Sequence, residues 1–539
     1  MMSDGTYVQP AQPQIKVMII SSCLGSLVTI LVISFLLRNT SFVNIYLPAA
    51  TTPHTADQNT ADSVYRLADT KGNTAEMGRR AAVLEQITAA DSGQRILGRT
   101  RDTVGFIRAT AEFHQSVGSG NKHRIEEEGF TRRSSRDVQL ILLKSAVKQG
   151  AVCLDGSPPG YYYREGSGKG SDNWVLHFFG GAWCYDEEAC LQRSKTVLGS
   201  SKYFPEHPPK LQGVLSGDAR INPDFHDWNL VMTCYCDGAS FTGYRTEPVS
   251  IRGELIYMRG KRILEAIMDQ LLSSQFSKAK RVLLTGTSAG GLSVVLHADY
   301  IRNKLPKSMA LRAMSDSGYF VDIASLNGGN IINRHFKRMF EVHNSTAGVQ
   351  QDCVRDAEPG YQWKCLFPQH TFRFLSTPIF ILQSAYDAWQ IIHVRGVSCE
   401  PPDYREAQRM RTNSIDLTRG HVSRRSLPNK PHPSWAYRHI HGIYCKPPEC
   451  TSRELKAIMQ YRNITLHALH PVLRSRTSGL LLTSCMEHSQ SLYDDTWTKL
   501  YVNGLPVSEI VGDWYFERSN GHHHVDCDYP CNPSCENIG

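Results

Sequence analysis

No Cys-x-x-Cys pair occurs anywhere in the 539-residue chain, and no cysteine and histidine spacing suits a zinc finger. Zinc modules of that kind are thereby set aside. An RNA-recognition signature and a run of interleaved aromatic and basic residues are missing too, so nothing points to nucleic acid. The stretch Ser167-Gly168-Lys169-Gly170 fails as a phosphate loop, because Tyr163 stands where the first glycine belongs and Gly170 where a serine or threonine would hold magnesium. No internal repeat is evident. Neither sign of charge dominates: 59 Lys and Arg against 51 Asp and Glu leave +8. Such a surplus favours approach to a polyanion such as an acidic polysaccharide, or is an ordinary basic surface.

What is present begins with an uncharged, mainly apolar stretch from Val17 to Leu37, between Lys16 and Arg38. As a helix it would be about 30 Å long and cross a bilayer. Leu36-Leu37-Arg38-Asn39 offers no small-x-small cleavage site, which favours a signal anchor over a removed signal peptide. Cys23 lies inside this stretch, leaving fourteen of the 15 cysteines in the remainder. Asn344-Ser345-Thr346 and Asn463-Ile464-Thr465 are glycosylation acceptors. Both features point to an oxidising lumen, with Cys184 and Cys190, and the clustered Cys527, Cys531 and Cys535, as disulfide partners of undetermined connectivity. The expected layout is a cytosolic tail over 1–16, an anchor over 17–37, a partly disordered stem over 38–148 that is poor in aromatics and free of cysteine, and a large globular domain over 149–539. This layout is the one expected of a single-pass type II membrane protein of the secretory pathway, in the Golgi or at the cell surface, or secreted to the cell wall if the anchor is cleaved.

Within the last segment, Trp174 to Phe179, Arg281 to Thr285, Pro378 to Leu382 and Gly479 to Thr483 read as buried strands, and Leu255 to Leu272 as a helix. Strand and helix alternate, as in an α/β fold built on a central, mostly parallel sheet. The basic segment from Ser398 to Cys450 reads as a solvated insertion, or as a flap over substrate.

The strand at Arg281 runs into Gly286-Thr287-Ser288-Ala289-Gly290, and a helix-compatible run follows. A serine hydroxyl is a poor nucleophile unless a sharp strand-to-helix turn exposes it to a histidine base, and flanking glycines make that turn sterically possible. Ser288 is the candidate nucleophile. Asp387 and His488 each follow a later strand, giving the chain order Ser, Asp, His of α/β-hydrolases. Backbone amides of Gly181, Ala182 and Ala289 are the candidate oxyanion hole. Asp316 also follows the nucleophile and reads as a loop-capping residue. His522, His523 and His524 read as solvated loop rather than a metal site, and His177 as a hydrogen-bonded core histidine. Acyl transfer by these groups needs neither metal nor organic cofactor.

Blocks from Val152 to Cys535 carry a resemblance to plant pectin acetylesterases. They include Val152-Cys153-Leu154-Asp155-Gly156-Ser157-Pro158-Pro159, Tyr235-Cys236-Asp237-Gly238-Ala239-Ser240-Phe241-Thr242-Gly243, Ser288-Ala289-Gly290-Gly291-Leu292, Ala385-Tyr386-Asp387-Ala388-Trp389-Gln390-Ile391 and Gly512-Asp513-Trp514-Tyr515-Phe516. The animal relative in that superfamily is Notum, a carboxylesterase that removes palmitoleate from Wnt proteins. The resemblance implies an α/β-hydrolase-like fold and a Ser, Asp, His triad on Ser288, Asp387 and His488. It also implies acetylated pectin as substrate, with another acetylated polysaccharide, a lipidated protein, or an inactive polysaccharide-binding domain as alternatives. Two positions depart from the plant pattern: Phe179 replaces an acidic residue, and Ala182 replaces the third glycine of its loop.

Overall fold

The computed structural model describes residues 138–537, apart from 209, 400 and 402–448. Val282, Leu283 and Leu284 are apolar at successive positions, so the strand that holds them needs cover on both faces, as inside a parallel sheet. It lies in the middle of a nine-stranded sheet. The strands are β1 (Gln139–Leu142), β2 (Gly160–Arg164), β3 (Asn173–Phe178), β4 (Asn229–Thr233), β5 (Arg281–Thr287), β6 (Ala310–Asp316), β7 (Ile379–Ser384), β8 (Gly479–Thr483) and β9 (His523–Val525). Their order across the sheet is β1-β2-β4-β3-β5-β6-β7-β8-β9. Only β2 runs against the rest, pairing antiparallel with β1 and β4. From β4 to β9 every pairing is parallel. Their carboxyl ends therefore share one edge, which is where open α/β sheets gather function.

Alternation along each strand sends side chains to two cores. Trp174, Leu176, Phe178, Val282, Leu284, Ile379, Ile381, Leu480 and Leu482 face one; Val175, Leu283, Met314, Phe380, Leu382 and Leu481 face the other. Helices cover both. A short helix, α1 (Glu187–Arg193), packs Cys190 and Leu191 into a smaller third cluster with Ile256 and Met258. On the first face lie α2 (Gly260–Leu272), α3 (Ala289–Lys304), α4 (Ile331–Val342), α5 (Ala388–His393) and α6 (Ser452–Ala468), whose buried residues include Ile263, Leu292, Phe336, Ile391 and Ile458. On the second lies α7 (Val507–Phe516), with Ile510, Val511 and Trp514 packed inward.

Three expectations are corrected by this architecture. The run read as helix from Leu255 starts later, because Val249–Ile251 and Glu254–Ile256 form a hairpin that leaves Leu255 exposed, and α2 begins at Gly260. The ordered fold begins before Lys148: β1 and a 3-10 turn over Lys144–Gln149 lie in the stretch read as stem, where β1 gains its backbone partners from β2. The histidine run is not a loop, since His523 and His524 belong to β9, an edge strand paired with β8. The segment Val17–Leu37 and the rest of the stem lie outside the described residues. Among the described residues no helix is long and apolar enough to cross a membrane.

Among the described residues six disulfides join Cys153–Cys236, Cys184–Cys190, Cys353–Cys365, Cys399–Cys450, Cys485–Cys535 and Cys527–Cys531. Cys184 and Cys190 pair as expected, and the tail cluster splits, with Cys535 tied to the loop after β8. Cys234 is buried and has no disulfide partner among the described residues. Cys445 lies outside the described residues.

Candidate active site

Strand β5 ends at Thr287, and α3 starts at Ala289, so Ser288 must reverse the chain in a single residue. It does so with φ 57° and ψ −124°, a conformation that L-residues avoid and that surrounding structure has to impose. Two glycines permit it. A Cβ on Gly290 would collide with the carbonyl oxygen of Phe178, and one on Gly286 with that of Gly290. The Ser288 amide donates to the carbonyl of Asp316 at 2.9 Å, and its carbonyl accepts from Leu292 at 2.9 Å, so the turn is clamped on both sides.

Asp387, which follows β7, is fully buried and caps α5, its Oδ1 accepting from the Gln390 amide at 2.9 Å. Its Oδ2 accepts from Gln383 Nε2 at 2.8 Å. Both oxygens lie on His488 Nδ1, at 3.1 and 3.0 Å. This fixes the imidazole from behind. His488 is 5% exposed and its Nε2 has no hydrogen-bond partner among the described residues. Ser288, likewise 5% exposed, makes no side-chain hydrogen bond among the described residues, so the hydroxyl and the imidazole are not joined in this structure. The structure thus joins Asp387 to His488 and sets Ser288 on the same sheet edge. Trp389 stacks on the His488 ring at 6.1 Å between centroids, inside a cluster with Trp183, Phe320 and Phe336.

The loop after β3 lies against the elbow. A Cβ on Gly180 would be 3.0 Å from Ser288 Cβ and 3.3 Å from the Ala289 amide nitrogen. Gly181 has φ 139° and Ala182 φ 49°, and for Ala182 the left-handed region costs about 1–2 kcal/mol. No protein acceptor among the described residues takes the amides of Gly181, Ala182 or Ala289. These are the donors expected to meet an oxyanion.

Asp316, set aside as a nucleophile partner, is buried and serves the histidine loop instead. Its carboxylate accepts from the Gln490 and Ser491 amides at 3.1 and 2.7 Å and from the Ser491 hydroxyl at 2.7 Å. Burial pushes its carboxyl up, against the opposing pull of those donors. The sequence reading missed Gln383, which carried no signal beyond its place four residues before Asp387. His177 is buried on β3, as expected of a core histidine, yet neither ring nitrogen has a hydrogen-bond partner among the described residues, and burial holds it neutral with its pKa down at about 3. Glu487, beside His488, has its carboxyl pushed up to about 8, by burial first and then by the charge of Asp387.

Comparison with known proteins places this geometry. The family model described as Pectinacetylesterase matches residues 131–425 and 426–536. Pectin acetylesterase 5 of Arabidopsis thaliana is 37% identical over 404 residues, covering 74% of this chain and 85% of that protein. Pectin acetylesterase 11 of the same plant is 35% identical, covering 74% and 93%. The palmitoleoyl-protein carboxylesterase NOTUM of Mus musculus is 31% identical over 49% of this chain and 53% of its own length. The solved structure of the Wnt deacylase Notum from Drosophila superposes with a TM-score of 0.56 at 24% identity, over 74% of this chain and 99% of that one, and so shares the α/β fold. On the family model and the plant relatives together, the chain belongs to the pectinacetylesterase family.

Proposed function

We propose that this carboxylesterase removes acetyl groups from pectin through Ser288, His488 and Asp387. The carrying observation is the buried His488, held at Nδ1 by Asp387 while Nε2 has no partner among the described residues, on the same sheet edge as the strained Ser288. The Ser288 hydroxyl attacks the acetyl carbonyl as His488 Nε2 takes its proton. Asp387 keeps the proton on Nδ1 and stabilises the imidazolium. The amides of Gly181, Ala182 and Ala289 receive the negative charge that develops on the carbonyl oxygen. His488 then returns the proton to the departing sugar oxygen, and water repeats the route to free acetate from Ser288. The rings of Trp183, Phe320, Phe336 and Trp389 pack on one another beside His488.

The apolar stretch Val17–Leu37 is proposed as a type II anchor, with 38–137 as a stem that holds the hydrolase in the secretory pathway. Six disulfides support an oxidising compartment. Asn344 and Asn463 are exposed, as glycan attachment requires.

Acetate release from acetylated pectin, acetylated xylan and a palmitoleoyl ester tests the reading. Acetate should come from pectin, and Ser288→Ala should lower kcat by roughly 10⁶-fold. Undiminished release by Ser288→Ala overturns the nucleophile, and cleavage of the lipid ester alone overturns the substrate.

A further inference from the structure

The loop that lies against Ser288 is gripped from its other side by two side chains that carry no chemistry in the reaction proposed above. Arg193, at the end of α1, is fully buried, and its Nη1 donates to the Gly181 carbonyl at 2.8 Å while its Nε donates to the Leu198 carbonyl at 3.0 Å. No carboxylate forms an ion pair with it among the described residues; the buried Asp237 nearby gives its Oδ2 to the amides of Ala239 and Phe241 instead. The next carbonyl, that of Ala182, accepts from the Tyr235 hydroxyl at 2.8 Å, and Tyr235 in turn lies 5.0 Å from the Arg193 guanidinium. A Cβ on Gly181 would meet the Leu198 side chain at 2.7 Å and the Tyr235 ring at 3.4 Å, whereas one on Gly180 would lie 3.0 Å from Ser288 Cβ.

In a trans peptide the C=O and N–H point in opposite directions. Taking the Gly181 carbonyl toward Arg193 therefore turns the Ala182 amide away from Arg193, and taking the Ala182 carbonyl toward Tyr235 fixes the following peptide as well. Ser240 ties the second half of the arrangement to the first: its hydroxyl donates to the Ala289 carbonyl at 2.8 Å and accepts from Trp183 Nε1 at 2.7 Å, while its amide donates to the Tyr235 hydroxyl at 3.0 Å. An unpaired guanidinium charge on the Gly181 carbonyl also polarises that peptide, which strengthens its N–H as a donor.

We infer that Arg193 and Tyr235 are positioning residues that hold the strained Gly181–Ala182 peptides so that the Ala182 amide is aimed at the oxyanion formed on Ser288. This rests on the serine-hydrolase reading given above. A device of this kind acts on the transition state and leaves ground-state binding alone.

The test uses the full-length protein with Tyr235→Phe, which removes one oxygen and keeps the ring, and Arg193→Lys, which keeps the charge but cannot span both carbonyls. Turnover of 4-nitrophenyl acetate is measured beside inhibition by methylboronic acid, whose tetrahedral serine adduct places an oxygen where the oxyanion forms. Each variant should lose about 10- to 100-fold in kcat with KM within about twofold, and the methylboronic acid inhibition constant should rise by the same factor as kcat falls. Tyr235→Phe with kcat and boronate inhibition within about twofold of the parent, or with only KM raised, overturns the inference. Ser288→Ala in parallel separates the two failures. If it stays active, the hydrolase reading falls; if it is dead while Tyr235→Phe is unimpaired, only the positioning role falls.

Discussion

The elbow that carries Ser288 and the loop that carries His488 hold their residues by opposite means. At the elbow the constraint is short in sequence, with Gly286 and Gly290 clearing space within two residues of the serine. The histidine loop has no such local device. Ser489 sits in the left-handed region at φ 78°, and the backbone beyond it is held by Asp316 and Ser317, far earlier in the chain. The proposed nucleophile is thus held by local sterics and the proposed base by tertiary hydrogen bonds, and the two meet at Asp316, whose carbonyl takes the Ser288 amide while its carboxylate takes the loop.

Substitutions can pull these halves apart. Gly290→Ala drives a methyl into the Phe178 carbonyl and must part β3 from the elbow. Overpacking of that kind costs about 1–3 kcal/mol, and misplacement by about 1 Å lowers turnover roughly 100-fold. The expected outcome is a kcat on 4-nitrophenyl acetate down by at least that factor, with the His488–Asp387 proton still visible far downfield by NMR. Asp316→Asn keeps the shape of the side chain but turns an acceptor toward four donors into a partial donor, at a cost of about 1–3 kcal/mol. Here kcat should fall roughly 10-fold and the same NMR proton should broaden, because the damage is to the base. A broadened signal in Gly290→Ala and a sharp one in Asp316→Asn would dissolve the contrast.

The smallest effect is one of pH. The folded pKa of Glu487, about 8, lies above that of an unfolded glutamate, so its stabilising share is complete below the ordinary carboxyl range and is lost as pH rises toward 8. Glu487→Gln should flatten the decline in melting temperature between pH 5 and pH 8, measured by calorimetry. An unchanged slope would show that the carboxyl ionises freely in the folded protein.

The same division between local and tertiary constraint governs which elements are legible in the sequence. Strand β8 falls on Gly479–Thr483 as expected, and β5 needs only Gly286 and Thr287 added, because continuous apolar runs ending in glycine or polar residues leave few alternatives. The hairpin at Val249–Ile256 is absorbed into a helix on a sequence reading because Leu255, apolar but exposed, mimics helical spacing. Strand β9, with two histidines among its three residues, gains strand character only from the neighbour it pairs with. Gln383, Arg193 and Tyr235 are invisible for a related reason: each acts on a backbone or carboxylate group brought near by folding, and nothing in their own neighbourhood marks them.

The bridge between Cys399 and Cys450 has one more implication. It brings two positions 51 residues apart to a Cα separation of 4.8 Å, so the chain departs from the hydrolase fold and rejoins it at virtually the same point. Whatever is spliced between those cysteines can lengthen, shrink or be exchanged without shifting the register of β7 against β8. The fold thereby carries a socket where relatives can diverge while the chemistry beside it stays put.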